Sequence, residues 1–175
     1  MLKDTRNVID NYRHWEVELI REDLNRRRHN FSILCCNWQN DFNIGSVIRN
    51  ANAFCASSVY IYGRKKYDRR GAVGTHHYEN IEWLKKIDNL DKLLEEKEHN
   101  LVAVDNVAGA VEINDFIWPP RCLMAFGQEQ IGVESEILER AKDVIYIPQF
   151  GSVRSINVAC ASAICMHDWI SKNEK

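Results

Sequence analysis

Residues Ile145 to Trp169 read IYIPQFGSVRSINVACASAICMHDW, and the fold turns on how this stretch divides. Ile145 to Pro148 is a short apolar run of the kind that forms a buried strand, and a glycine-containing loop separates it from a long apolar helix. Arg154, Ser155 and Asn157 crowd just ahead of that helix. A helix start carries orphan backbone N–H groups, so Ser155 can cap it, or the same N–H groups can face a ligand. The helix itself carries Val158, Ala159, Cys160, Ala161, Ala163, Ile164, Cys165, Met166, Trp169 and Ile170. A helix apolar on nearly every side needs cover on nearly every side. A second copy of the chain is a natural cover, so a homodimer through the C-terminal helix is expected.

Upstream, apolar runs alternate with helical patterns from Phe31 onward. FSILCC is followed by Val47 to Phe54, SSVYIY, Leu90 to Leu94, LVAV, RCLMAF, the Glu134 to Ala141 segment and VIYI. This alternation predicts an α/β fold, a mostly parallel sheet with helices on both faces. Residues 1–30 differ in character. Trp15, Leu19, Ile20 and Leu24 recur near helical spacing before Arg26, Arg27, Arg28 and His29, which reads as an N-terminal helical arm ahead of a main domain over 31–175.

At 175 residues the chain is long enough for one domain with a real core. No apolar run is long enough for a membrane span, and MLKDTRNVID lacks the apolar stretch of a signal peptide. A soluble, cytoplasmic protein without a membrane partner is expected. The six cysteines, Cys35, Cys36, Cys55, Cys122, Cys160 and Cys165, form no CxxC pair and lack matching histidine spacing, so they read as reduced core residues and no metal is expected. The formal net charge of −2 leaves any nucleic acid to be met by local basic patches.

In parallel α/β folds ligands gather beyond the carboxyl ends of strands, and three places there carry chemistry. After the first strand comes NWQNDFNIGSVIRNANAF, with Asn43 placed as a cap, Gly45 permitting close backbone approach, and Arg49 off the buried face formed by Val47, Ile48, Ala51 and Phe54. Arg49 is a surface arginine on the plain reading and a phosphate or carboxylate contact on the functional one. The second place is LMAFGQEQIGVESEIL, where Gly127 ends a strand, Glu129 follows, and Glu134 and Ser135 suit a helix start. The third is IPQFGSVRSIN, described above. The usual nucleotide and hydrolase signatures, GxGxxG, GxxxxGK[ST] and GxSxG, are missing. His76 and His77 read as loop residues.

Taken together and in order, NxGxxxR at Asn43 to Arg49, FGxExxG at Phe126 to Gly132 and IPxxGxxxSxN at Ile147 to Asn157 resemble the three motifs of the SpoU (TrmH-like) class of SPOUT RNA methyltransferases. The resemblance spans roughly residues 31 to 170. It implies a homodimeric protein whose parallel sheet ends in a C-terminal deep trefoil knot, a feature that sequence physics gives no reason to expect. It also implies transfer of a methyl group from S-adenosylmethionine to a ribose 2′-oxygen of RNA, tRNA in preference to rRNA for so compact a chain. Carried onto this sequence, Asn43, Arg49, Glu129, Ser155 and Asn157 form the catalytic set, and Gly127, Ile147, Ile156 and Ser155 hold the cofactor, with Val104 added by its position at the end of LVAV as a lesser contact. The sequence departs from the family pattern at Asn40 and Asp41, at Cys55 where glycine is common, at Gln149 and at Ile156.

For RNA, the loop holding Arg64, Lys65, Lys66, Tyr67, Arg69 and Arg70 is expected to rim the site, assisted by Arg26, Arg27 and Arg28. Two other readings stand beside the enzyme: a non-catalytic RNA-binding dimer that keeps the fold, and a small-molecule enzyme on an ordinary doubly wound sheet.

Overall fold

The computed structural model describes residues 4–37, 42–128 and 131–174. Seven strands form one sheet, β1 (Phe31–Asn37), β2 (Val59–Gly63), β3 (Ile81–Leu84), β4 (Asn100–Val104), β5 (Val111–Glu112), β6 (Cys122–Phe126) and β7 (Asp143–Tyr146), in the order β3-β2-β1-β6-β4-β7-β5. Every pairing is parallel. All carboxyl ends therefore lie along one edge. Among the described residues the α-helices are α1 (Val17–Asn25), α2 (Phe42–Ala53), α3 (Ile87–Lys97), α4 (Ser135–Leu138) and α5 (Val158–Asn173), with short 3-10 turns between elements.

The sheet carries a core on each face, as alternation along a doubly covered strand requires. Ile33, Cys35, Val59, Ile61, Val102, Met124 and Phe126 point to the face covered by α2 and α5, while Leu34, Tyr60, Tyr62, Leu101, Ala103, Leu123 and Ala125 meet α3 and α4. The strands expected from sequence are present, and two more, β3 and β5, are not legible as strands in it. Both lie at the sheet's margins, where half-exposed IEWL and two-residue VE lack the continuous apolar run of a central strand.

The arm is no free appendage. Ile20 and Leu24 of α1 pack with Tyr12 and Tyr78, whereas Leu19 is exposed. Arg28 lies in the same seam. Its guanidinium donates to Glu79 Oε2 at 2.8 Å, to the Ala56 carbonyl at 2.7 Å and to the Tyr78 carbonyl at 2.8 Å, and the side chains of this pair are 5% and 0% exposed. Burial pushes the Glu79 carboxyl up, opposed by Arg28 and by Asn52, which donates to its other oxygen at 2.6 Å.

The end of α2 explains one departure from the family pattern. Ala56 N–H reaches the Ala51 carbonyl at 2.9 Å and Cys55 N–H the Asn52 carbonyl at 3.1 Å, the paired bonds of a Schellman stop. Cys55 takes φ +52° there, a left-handed conformation that glycine adopts without strain. All six cysteines are free, four of them buried, and burial pushes the Cys35 thiol up to about 12.

Candidate active site and cofactor cavity

Asn157 starts α5, not Ser155: its Oδ1 accepts from Ala159 N–H at 2.8 Å. Ser155 stays exposed in the preceding loop. The reason is local, because a cap must sit one residue before the first helical turn to reach the N–H two residues on, and Val158 opens that turn. The cap leaves the Asn157 amide nitrogen available, and it donates to Asn43 Oδ1 at 3.0 Å. The first and third sequence motifs, 114 residues apart, thus meet side chain to side chain.

Asn43 lies in the first turn of α2 and does not precede it as a cap. Seven residues on, almost two full turns, Asn50 points the same way and donates to the Ala159 carbonyl at 2.7 Å and to Ser162 Oγ at 3.2 Å. One stripe of α2 is therefore hydrogen-bonded to the start of α5, and Arg49, one residue round from that stripe, is exposed to solvent.

Gly45 explains the position of the basic loop. A Cβ there would come within 2.8 Å of the Asp68 carbonyl oxygen and 2.9 Å of Ala72 N, and one on Gly71 would come within 2.9 Å of Ser46 N. The close approach expected at Gly45 is made to this chain's own loop. Backbone contact seats residues 68–72 against the start of α2, beside Asn43. Within the loop Arg70 pairs with Asp68, Arg69 lies 6.0 Å from the Tyr67 ring centroid, and Arg64, Lys65 and Lys66 are exposed. Arg26 and Arg27 at the end of α1 are exposed too, with Arg27 donating to the Tyr12 hydroxyl. Arg28 is removed from the RNA-facing set, since its guanidinium is buried and fully engaged.

A cavity of about 750 Å³ opens at the carboxyl ends of β4, β6 and β7, and Val104, Gly127, Ile147, Ser155 and Ile156 all line it. Its size fits a cofactor-sized ligand. Its walls are apolar at Val104, Val107, Phe126, Ile147 and Ile156, with Gln128 and Gln149 among them. Gln128 Nε2 and Gln149 Oε1 are buried without a hydrogen-bond partner. Buried polar atoms left this way suit a bound molecule carrying complementary groups, so the donor set fits an adenosine-type cofactor. Glu129, with Asn40 and Asp41, lies outside the described residues.

Sequence reasoning missed Asp105. Its Oδ2 accepts from Val133 N–H at 2.7 Å and its Oδ1 from Asn106 N–H at 2.7 Å, clamping the glycine loop to the end of β4. The loop has no slack. A Cβ on Gly127 would lie 1.9 Å from the Gly132 carbonyl carbon, and one on Gly132, already at φ +73°, 2.4 Å from Asp105 Oδ2. An acid following a strand and facing a distant glycine gives no local signal. Glu134 stands at the far side of this loop, just before α4, without a side-chain cap bond, and burial, with help from Glu136, pushes its carboxyl up to about 7. Among the described residues no three histidine, cysteine or acidic side chains gather into a metal-binding group.

A parallel sheet whose last strand, loop and helix wrap a cavity at its carboxyl edge, with the second and third motifs lining it and the first hydrogen-bonded to the third beside it, defines an α/β protein of the SPOUT kind. The model of the SpoU rRNA Methylase family matches residues 30–167, and the chain belongs to that family. It is 30% identical over 159 residues to a tRNA (guanosine(18)-2'-O)-methyltransferase of Aquifex aeolicus, covering 87% of this chain and 74% of that one. The crystal structure of the A. aeolicus TrmH/SpoU tRNA modifying enzyme superposes with a TM-score of 0.78 at 23% identity, over 90% of this chain and 82% of that one. The SpoU methyltransferase AviRb from Streptomyces viridochromogenes, solved in complex with AdoMet, gives 0.75 at 23% identity, over 85% of this chain and 60% of that one. At that identity the two structures bear on the fold.

Proposed function

We propose that this protein is an S-adenosylmethionine-dependent RNA methyltransferase acting on a ribose 2′-oxygen of tRNA. One observation carries the reading: the Asn157–Asn43 hydrogen bond joins α2 to the loop whose Ile147, Ser155 and Ile156 wall the cavity. The relatives' tRNA substrates favour tRNA over rRNA.

Val104, Gly127, Ile147, Ser155 and Ile156 would hold the cofactor, which when bound supplies an electrophilic methyl group on sulfur. The chain's part is to orient the hydroxyl, exclude water and stabilise the charge that develops on oxygen. Taking a proton from a guanidinium near neutral pH costs about 8 kcal/mol, so Arg49 serves more readily as a cation, aligning a phosphate and stabilising the alkoxide. Asn157, fixed by its cap and by Asn43, orients the hydroxyl with Ser155. Glu129 belongs to the same proposed set. The proton leaves to phosphate or water.

A homodimer through α5 belongs to this reading. The helix buries Ala159, Ser162, Cys165, Met166 and Trp169 and leaves Cys160, Ile164 and His167 exposed along one stripe, which suits a second copy. So does the family's trefoil knot, in which the cavity-wrapping loop before α5 takes part. No helix among the described residues is long and apolar enough to cross a membrane, in keeping with a cytoplasmic enzyme.

The test is incubation with methyl-labelled S-adenosylmethionine and separate tRNA and rRNA pools, followed by nucleoside analysis. A 2′-O-methylated nucleoside from tRNA, lost with Arg49→Ala, is expected. Arg49→Lys should retain only a minor share of activity, because a lysine keeps the charge and loses the bidentate contact. Cofactor binding without transfer to either pool would overturn the catalytic reading, and full activity in Arg49→Lys would exclude a specific guanidinium role.

A further inference from the structure

Trp83 lies on the sheet's edge strand, β3, and 40% of its surface meets solvent. Its polar edge is already satisfied, since Nε1 donates to the Gly63 carbonyl at 2.7 Å. What remains exposed is aromatic surface. The strand register places Trp83 beside Ile61, Ile61 beside Cys35, Cys35 beside Phe126 and Phe126 beside Val104. Phe126 and Val104 line the cofactor cavity. Partners across a parallel ladder share a face, so Trp83 stands on the α2 and α5 side, where Tyr67 and Ala72 of the basic loop also pack. Three strand spacings, about 14 Å, separate Trp83 from Phe126.

One lysine lies against the ring and others stand nearby. Lys65 Nζ lies 5.6 Å from its centroid, and Lys85 and Lys86 are exposed where α3 begins. Lys92 shares a groove with Trp83, Lys85 and Lys86, and Glu82 and Glu96 line it as well. Two lysines beside a helix N-terminus are placed against the helix dipole, which favours anions there. Asp88 stands in the same first turn and Asn89 caps the Lys86 N–H, and a phosphate arriving there would meet both lysines and the helix's remaining orphan N–H groups.

We infer that Trp83 is a stacking platform for an unpaired nucleotide of the RNA substrate, whose flanking phosphates lie on Lys65, Lys85 and Lys86. This inference rests on the RNA substrate proposed above and extends the RNA-binding surface from the basic loop to the sheet edge. An aromatic face beside cations is the recurring form of single-strand recognition, in which any base stacks and the cations follow the backbone.

The experiment measures binding of total deacylated tRNA to the full chain and to Trp83→Ala, Trp83→Phe and Trp83→Leu, with S-adenosylmethionine affinity measured on each as the folding check. Trp83→Ala is expected to weaken tRNA binding roughly 5- to 100-fold, with Phe recovering most of the loss and cofactor affinity unchanged. Lys85→Ala with Lys86→Ala should lower the slope of log affinity against log salt by about 1.4 to 2. Should Trp83→Ala lose cofactor affinity as well, the comparison passes to Leu against Phe, which preserve apolar volume and differ in stacking. Equal tRNA affinity for those two, or an alanine variant within twofold of wild type, overturns the platform; Trp83 would then belong to a protein contact. If the wild-type chain transfers methyl groups to tRNA while these variants bind normally, only this inference falls. A wild-type chain without tRNA affinity removes both.

Discussion

Replacing Arg28 with alanine separates a structural arginine from an RNA contact. The substitution leaves Glu79, wholly buried, without its cation, and strips the Ala56 and Tyr78 carbonyls of their donor. Removing one partner of a buried pair costs about 3–5 kcal/mol, because the remaining charge is stranded in low dielectric. For a chain of this length each kcal/mol moves the melting temperature by about 2–4 °C, so the variant should melt roughly 6–20 °C lower. Arg28→Met combined with Glu79→Leu removes both charges and should recover much of the loss, leaving the two carbonyls as a residual penalty of about 1–3 kcal/mol. Calorimetry or thermal circular dichroism reads the stability, and the salt dependence of tRNA binding reads the phosphate contacts. An Arg28→Ala chain that melts within 1 °C of wild type, the order of a mere surface change, yet binds tRNA more weakly with a shallower salt slope would refute the buried-pair account.

Other substitutions probe the cofactor loop and the helix ends. Gly127→Ala drives a methyl group into the backbone of Gly132 and Val133, which cannot move without breaking the Asp105 clamp; S-adenosylmethionine affinity should fall at least tenfold, and an unchanged affinity by titration calorimetry would show that the glycine loop has slack. Cys55 is left-handed and its thiol packs against the Tyr12, Ile20, Leu24 and Tyr78 cluster, so the informative pair is Cys55→Gly against Cys55→Ala, which both lose that packing. With about 1–2 kcal/mol of strain relieved against roughly 0.5–1 kcal/mol of added chain entropy, the glycine variant should melt slightly higher than the alanine one, and the reverse order would contradict the Schellman assignment. Glu134 carries a carboxyl raised to about 7 from 4.5. The folded state thus holds the proton more tightly, so this group's contribution is fully present below about 4.5 and is lost as pH rises through about 7. Glu134→Gln should therefore be the more stable form at pH 8, with its advantage vanishing by pH 4, as denaturant titrations at the two pH values would read.

By itself the sequence determined the parallel α/β class, because its apolar runs are continuous where both faces of a strand are buried and helical where only one is. Local signals marked the strand ends and loops, while it took the resemblance of three ordered motifs, with Val104 added from its strand end, to name the five residues that line the cavity. Strands β3 and β5 left no local signal, being short and half exposed at the margins. Only the tertiary structure decided what depends on separation in the chain. It assigned the α5 cap to Asn157 and its spare nitrogen to Asn43, buried Arg28 against Glu79 across 51 residues, and set Asp105 on the glycine loop across 28. An arginine among arginines reads the same whether it meets a phosphate or a buried carboxylate. Its partner is chosen by packing, and packing is where residues distant in sequence first act on one another.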